Sequence, residues 1–155
     1  MNLNLLDYPV QKTKPNLDKR IKAALIDYGI LIVVEQIFEQ FWGHKHADGH
    51  VSLQNFAAFA YLAFWFLYTV GIEQWKGATW GNQLMHLKPL PLHQPNGKLK
   101  LSQSIKRHLL DIIDLSFMGL VGYLSIKNSK YNQRVGDKWG KTVVIDLDDP
   151  EQILI

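Results

Sequence analysis

Cysteine is absent from all 155 residues. That excludes a disulfide-stapled scaffold, a thiolate metal site and catalysis by a cysteine nucleophile. Charge is scarce too. Asp, Glu, Lys and Arg make up 20% of the chain, and 17 basic against 14 acidic residues leave a net charge of +3. With 47% hydrophobic residues, this composition excludes a disordered chain. The scarcity is local: Val51 to Ile72 is a run of 22 residues without Asp, Glu, Lys, Arg or His. A helix needs about 20 predominantly apolar residues to cross a bilayer. A glycine-rich phosphate loop, a nucleophile elbow and an HExxH zinc motif are also missing. The expectation is therefore a membrane protein of about one domain, without enzymatic activity and without a cofactor.

What is present falls into three apolar stretches joined by polar segments. Residues 1–19 are polar, contain Pro9 and Pro15, and offer no cleavable signal peptide; Asn16 or Asp18 is placed to cap a helix. The first helix is expected over about 21–42, interrupted by Lys22, Asp27, Glu35 and Glu39. A polar loop at 43–50 leads to a second helix over about 51–72. Residues 84–101 read as two short extended pieces around a Pro95-Asn96-Gly97 corner, with Pro89 and Pro91 confining the first piece to a sheet edge. Ser102 is a candidate cap for a third helix over about 105–126, which either spans or re-enters, with Gly119 and Gly122 allowing a bend. A strand at Thr142–Ile145 precedes an acidic tail, 146–155. The fold class is thus an all-α membrane protein: two transmembrane helices, a third spanning or re-entrant helix, and a small extended element on the cytoplasmic side.

Basic residues set the expected orientation. Residues 1–22 hold five Lys and Arg, the 43–50 loop one, residues 73–107 six and residues 127–155 five. Lys and Arg favour the cytoplasmic side. The N-terminus and the 73–107 segment are therefore expected inside, and the His-rich loop outside. The tail falls inside if Thr142–Ile145 is to pair with an extended piece near 84–101. The basic residues are spread over the inner segments, which reads as topology rather than nucleic-acid binding.

The chemistry sits where acids and arginines enter the helices. Arg20 precedes Asp27 by seven residues, and Arg107 precedes Asp114 by seven, in the related octapeptides RIKAALID and RHLLDIID. Seven residues are nearly two turns, so each Arg shares a face with its Asp, about 10.5 Å away along the axis. That is long for a direct pair, so each Asp is open to an Arg from another segment. A carboxylate at the centre of a membrane helix costs roughly 2.5–3.5 kcal/mol. Two accounts follow. Asp27 and Asp114 either hold helices together through buried hydrogen bonds, or bind a proton or small cation. Glu35 either extends a polar path outward from Asp27 or lies where the helix leaves the hydrocarbon. In the outer loop, His44, His46, Asp48 and His50 alternate, a weak signal for zinc or copper; a solvated loop is the simpler account. Trp42, Trp75, Trp80 and Trp139 suit interfacial anchoring, and Ala57, Ala58, Ala60 and Ala63 a small-residue packing face.

These segments resemble the RDD family of bacterial membrane proteins, named for one arginine and two aspartates. The resemblance runs from about Arg20 to Ile145, leaving 1–19 and 146–155 as flanks. RIKAALID resembles the family's first helix entrance, with Arg20 and Asp27. TWGNQLMHLK is similar to T-P-G-K-x-L-x-G-L and keeps Thr79, Gly81, Leu84 and Leu87. RHLLDIID resembles R-N-L-L-R-x-x-D, matching Arg107 and Asp114. QRVGDKWGKTVVI is similar to Q-R-x-G-D-x-x-A-x-T-x-V-V and keeps Gln133, Arg134, Gly136, Asp137, Thr142 and Val144. The second aspartate falls on Asp114 or Asp137. Trp80, Asn82, His86 and Gly140 replace the usual Pro, Lys, Gly and Ala. The resemblance implies a multi-pass protein of the bacterial inner membrane and suggests transport; the charge bias puts its N-terminus in the cytoplasm. Three helices are few for a lone permeation path, so the expected partners are the lipid bilayer and a homo-oligomer or larger membrane complex.

Overall fold

The computed structural model describes residues 12–94 and 97–153. Helix α1 runs over Leu17–Trp42, 26 residues, a length of about 39 Å. Its buried residues Arg20, Ala23, Asp27 and Leu31 recur at three- and four-residue spacing, which makes one stripe along the helix. The remaining circumference exposes Leu25, Ile32, Val33 and Phe41. The helix starts four residues earlier than its apolar pattern suggests. Asn16 precedes it in a left-handed conformation (φ 47°), and its side chain does not cap the helix. Instead Asn16 Nδ2 donates to Gln152 Oε1 at 3.1 Å, so Asn16 ties the N-terminal segment to the tail.

The polar loop after α1 is a small hairpin, β1 (His44–Lys45) paired antiparallel with β2 (Val51–Ser52). Val51 and Ser52 are therefore hairpin, and the second long helix is displaced toward the C-terminus. It comprises α2 (Asn55–Phe66), a π-helical turn (Leu67–Gly71) and α3 (Ile72–Lys76) in direct succession. Among the described residues, Asn55–Lys76 is the one helix both long and apolar enough to cross a membrane by length and composition. Phe56 is 80% exposed and Phe59 68%. Apolar surface of that extent suits lipid better than water. Ala57, Ala58, Ala60 and Ala63 are half-buried, and α2 packs on α1. The π turn makes Tyr68, Thr69 and Val70 consecutive buried residues. Thr69 Oγ1 donates to the Trp65 carbonyl at 2.8 Å, which satisfies a helical acceptor near the widened turn.

Below the two long helices sits a cap. Helix α4 (Trp80–Leu84) lies on α1 and leads into β3 (Leu87–Pro91). Strand β4 (Thr142–Asp146) pairs antiparallel with β3, from Leu87 opposite Asp146 to Pro91 opposite Thr142. The tail strand and the segment after the second helix therefore share a side, as their pairing required. Each strand of this two-stranded sheet has a free edge, so Pro89 and Pro91 disturb no second ladder. Side chains alternate across β4: Val143 and Ile145 join Leu90 and Leu92 on one face, and Val144 meets Ala23 and Leu87 on the other.

Two expectations need correction. Residues 98–100 are not a strand; Leu101 already opens α5 (Leu101–Leu109), and Lys100 rather than Ser102 is its N-cap residue. Pro95 and Asn96 lie outside the described residues. The third apolar stretch is not one helix. It divides into α5, α6 (Asp111–Asp114) and α7 (Leu120–Lys127). Between the last two, Phe117 (φ 53°), Met118 (φ 59°) and Gly119 (φ 83°) are all left-handed, which a right-handed helix cannot absorb. Helix α8 (Val135–Gly140) then packs on α5, and α9 (Pro150–Ile153) closes on β4.

Candidate functional site

Asp27 is an acceptor hub on the buried stripe of α1. Its Oδ1 accepts from the Gly81 N–H at 2.7 Å and from the Tyr68 hydroxyl at 3.2 Å, and its Oδ2 from the Thr79 hydroxyl at 2.7 Å. Both oxygens are thus engaged by neutral donors from the second helix and from α4. The approach depends on Gly81, because a Cβ there would overlap the Ala23 carbonyl of α1. Asn82 Nδ2 donates to Thr79 Oγ1 at 2.9 Å and steadies one of these donors.

A second hub is Asp137, on α8, with no exposed surface. Arg107 Nη1 of α5 lies 2.6 Å from its Oδ1, and Arg20 Nη1 of α1 lies 3.3 Å from its Oδ2. Arg134 contributes its backbone N–H at 3.1 Å and its Nε at 3.8 Å. Three arginines from three elements therefore meet one carboxylate. Burial alone would raise the Asp137 pKa; the charges of Arg107, Arg134 and Arg20, with the Arg134 N–H, outweigh it and hold the pKa at about 2.

Around this centre the remaining charges are paired in a chain. Glu73 Oε1 accepts from Ser104 Oγ at 2.6 Å, and Glu73 Oε2 lies 3.4 Å from Arg107 Nη2. His108 bridges the two sides, with Nε2 3.5 Å from Glu73 and Nδ1 2.8 Å from Asp111 Oδ2. Arg134 Nη1 meets Asp111 Oδ1 at 3.2 Å. Burial would lower the His108 pKa, but its hydrogen bonds to Asp111 and Glu73 raise it to about 9, so the imidazolium is the form held at neutral pH. Asp114 accepts from the Val135 and Gly136 N–H groups at 2.8 and 3.0 Å, at the start of α8. Beside the cluster lies a cavity of about 480 Å³, lined by Arg20, Asp27, Arg107, His108, Asp111 and Arg134 among others.

Of the residues singled out from sequence, Arg20, Arg107, Arg134, Asp137 and Asp114 come together. Arg20 and Asp27 share the buried stripe of α1, and Arg20 reaches across to α8 rather than along its own helix. Glu35 stays apart: it sits half-buried near Tyr61 and does not line the cavity. In the β1–β2 hairpin the His44 and His46 rings lie 5.5 Å apart, those of His46 and His50 6.0 Å, and His46 Nε2 lies 2.8 Å from Ser52 Oγ. Among the described residues no group of three His, Asp or Glu is placed to hold a metal ion. Trp42, Trp75, Trp80 and Trp139 are all exposed, and Lys76 Nζ stands 4.1 Å over the Trp75 ring.

Sequence reasoning missed Glu73, Ser104, His108, Tyr68 and Thr79 as parts of the cluster. Glu73 lies just beyond the expected end of the second helix at 72; the three-residue spacing of His108 and Asp111 was an available local signal. The pairing of an α5 arginine with an α3 glutamate had no local signal at all. No curated protein and no solved structure matches the chain. The model of the RDD family matches residues 14–141, a span that begins just before α1, contains every residue of both hubs and ends one residue before β4, and the chain belongs to that family of membrane proteins.

Proposed function

We propose that this chain is a membrane-embedded accessory or scaffold subunit, multi-pass in a bacterial inner membrane with its N-terminus in the cytoplasm, whose Arg and Asp residues fasten the cap to the two long helices. The observation that carries this reading is that both oxygens of Asp27 and both of Asp114 accept hydrogen bonds from neighbouring segments. Asp27 accepts three hydrogen bonds and Asp114 two, all from neutral O–H or backbone N–H donors. Carboxylates held at both oxygens by neighbouring segments join helix to loop and loop to helix, and Asp27 has most of its lone pairs occupied. The partners are the bilayer and a second copy or a larger membrane complex, because exposed apolar residues run along both long helices.

A second reading, transport of protons or small cations, draws on one fact: Asp27, Asp111 and Asp114 line a common cavity. Reconstitution separates the two. The purified chain in proteoliposomes is expected to carry no proton or sodium flux above empty vesicles. Asp27→Asn is expected to lower thermal stability and recovery of the complex. Intrinsic flux that Asp27→Asn removes, in a variant that still assembles, overturns the scaffold reading. Orientation is read in the same vesicles by thiol labelling of Lys45→Cys and Lys130→Cys, since the chain has no native cysteine. The two sites are expected on opposite faces.

A further inference from the structure

Both ends of the third apolar stretch belong to the cap. At its start, Arg107 and His108 of α5 are buried against Glu73, Asp111 and Asp137. At its end, Ile126 of α7 is buried and Ser125 Oγ donates to the Gln133 carbonyl at 3.0 Å. Gln133 Nε2 in turn donates to the Thr142 carbonyl of β4 at 2.7 Å. The chain therefore leaves the cap and returns to it. Helix α7 runs back so close to α6 that a Cβ at Gly122 would meet the Asp114 carbonyl oxygen at 2.9 Å. With eight residues α7 is about 12 Å long, well short of the roughly 30 Å of hydrocarbon in a bilayer. A segment of this shape does not cross; it reaches into one leaflet at most.

What the segment carries outward is apolar. Residues 115–126 contain no Asp, Glu, Lys, Arg or His. Asp111 and Asp114, just before them, turn inward onto His108, Arg134 and the N–H groups that open α8. Ile112 is 78% exposed, Phe117 82% and Met118 fully, the last two at the left-handed break. The turn also keeps its backbone polar groups to itself. The Leu115, Gly119 and Leu120 N–H groups donate to the Asp111, Leu115 and Phe117 carbonyls at 2.8, 2.8 and 3.2 Å, and Ser116 Oγ donates to the Ile112 carbonyl at 2.8 Å. Hydrocarbon offers no partners, so backbone that enters it has to be satisfied internally. The neighbouring helix identifies the occupant. Phe117 and Leu120 line one cavity with Ile21 and Tyr28, so the turn stands beside the first half of α1, where Ile21 and Leu25 are exposed. Its apolar tip thus continues the outward surface of α1. At the return, Lys127 Nζ stands 4.9 Å over the Tyr123 ring, an aromatic and a basic group suited to headgroup level. Resting on the membrane reading of the two long helices, we infer that residues 109–126 are a re-entrant wedge. It enters the leaflet on the cap's side, buries Ile112, Phe117 and Met118 about 5–10 Å into the boundary of headgroups and acyl chains, and turns back at Gly119.

The test uses the full chain in vesicles of phosphatidylglycerol and phosphatidylcholine. A nitroxide is attached to single cysteines made by Met118→Cys, Leu62→Cys or Lys45→Cys, since the chain has no native cysteine. All three positions are exposed, so the label displaces no packed side chain. Relaxation by oxygen, which concentrates in hydrocarbon, is compared with relaxation by a water-soluble nickel chelate. The oxygen-to-nickel ratio at Met118 is expected several-fold above that at Lys45, as it is at Leu62 on the second long helix. An impermeant thiol reagent is expected to reach Ser102→Cys and Lys130→Cys, on either flank of the wedge, from one face of the vesicle. Labelling from opposite faces means that the stretch crosses and overturns the wedge. So does a Met118 ratio equal to that of Lys45 while Leu62 stays in lipid. Water exposure at both Met118 and Leu62 removes the membrane reading itself, and the wedge with it. Spin–spin broadening between copies at Met118, with neither relaxant reaching the label, gives this face to a second copy of the chain and overturns its assignment to lipid.

Discussion

Arg107 Nη1 lies 2.6 Å from Asp137 Oδ1, and neither side chain has exposed surface. Arg107 also reaches Thr142 Oγ1 at 3.2 Å, so one guanidinium connects α5, α8 and the start of β4. The pair is the point through which the helical and the strand parts of the cap are joined.

Breaking it from one side leaves a buried charge without its counter-ion. Asp137→Asn would leave three arginines facing a neutral amide, and a loss of about 3–5 kcal/mol is expected. Arg107→Met should cost a similar amount or less, because Glu73 loses its arginine while Asp137 keeps Arg20 and Arg134. The double variant Arg107→Met with Asp137→Leu should recover part of the loss, since neither charge then remains unpaired at this contact. Thermal unfolding in detergent of the three variants, as a double-mutant cycle, measures the coupling. Additive losses would show that the two residues act independently.

The packing of α5 on α8 rests on glycine. A Cβ at Gly136 would meet the Arg107 carbonyl oxygen at 2.5 Å, a backbone atom that cannot rotate away. Gly136→Ala should therefore push α8 off α5, lengthen the Arg107–Asp137 contact and cost about 1–3 kcal/mol or more. Gly29 is the internal control, because a Cβ there meets nothing within 4 Å and lies inside α1. Gly29→Ala should be neutral or stabilising by up to about 1 kcal/mol. Equal behaviour of the two variants in a thermal melt would contradict this packing.

Much of this arrangement is legible in the residues before any coordinates. The stripe Arg20, Ala23, Asp27 and Leu31 follows from helical spacing, and the extended patterns near 84–101 and at Thr142–Ile145 offered the strands that pair as 87–91 with 142–146. Three of the departures from the family pattern also find local reasons. Trp80 opens α4 after Thr79, at the first helical position that proline favours. His86, standing where the family has glycine, holds φ 54° and places Nδ1 2.7 Å from Asp148. Asn82 supports Thr79 instead of contributing a charge. The broken third helix was not legible, because Leu109–Ile126 is apolar and only Gly119 among the three left-handed residues announces itself. Nor was the meeting of Glu73, Arg107 and Asp137, which are distant in sequence and brought together by tertiary packing alone. The π turn compounds this. It carries no sequence mark, yet it buries Tyr68, Thr69 and Val70 in succession, with Tyr68 directed to Asp27.

The cluster should give stability an asymmetric pH profile. Asp137 falls from an ordinary 3.8 to about 2, because its arginines outweigh burial. A depressed carboxylate contributes stability that is complete above about 4 and is lost as pH falls through about 2. His108 moves the other way, from 6.5 to about 9. A raised imidazole contributes stability that is complete below 6.5 and is lost as pH rises through 9. The plateau should therefore lie between about pH 4 and 6.5, with a decline already under way at neutral pH. At roughly 1.4 kcal/mol per unit, His108 accounts for about 3 kcal/mol across the alkaline limb. Thermal unfolding of the detergent-solubilised chain from pH 6 to 10 reads this limb directly. His108→Asn, which cannot ionise, should be less stable at pH 6 and should lose most of the slope between pH 6.5 and 9. An undiminished slope in that variant would move the titration to another group and remove His108 as the proton-dependent link between Glu73 and Asp111.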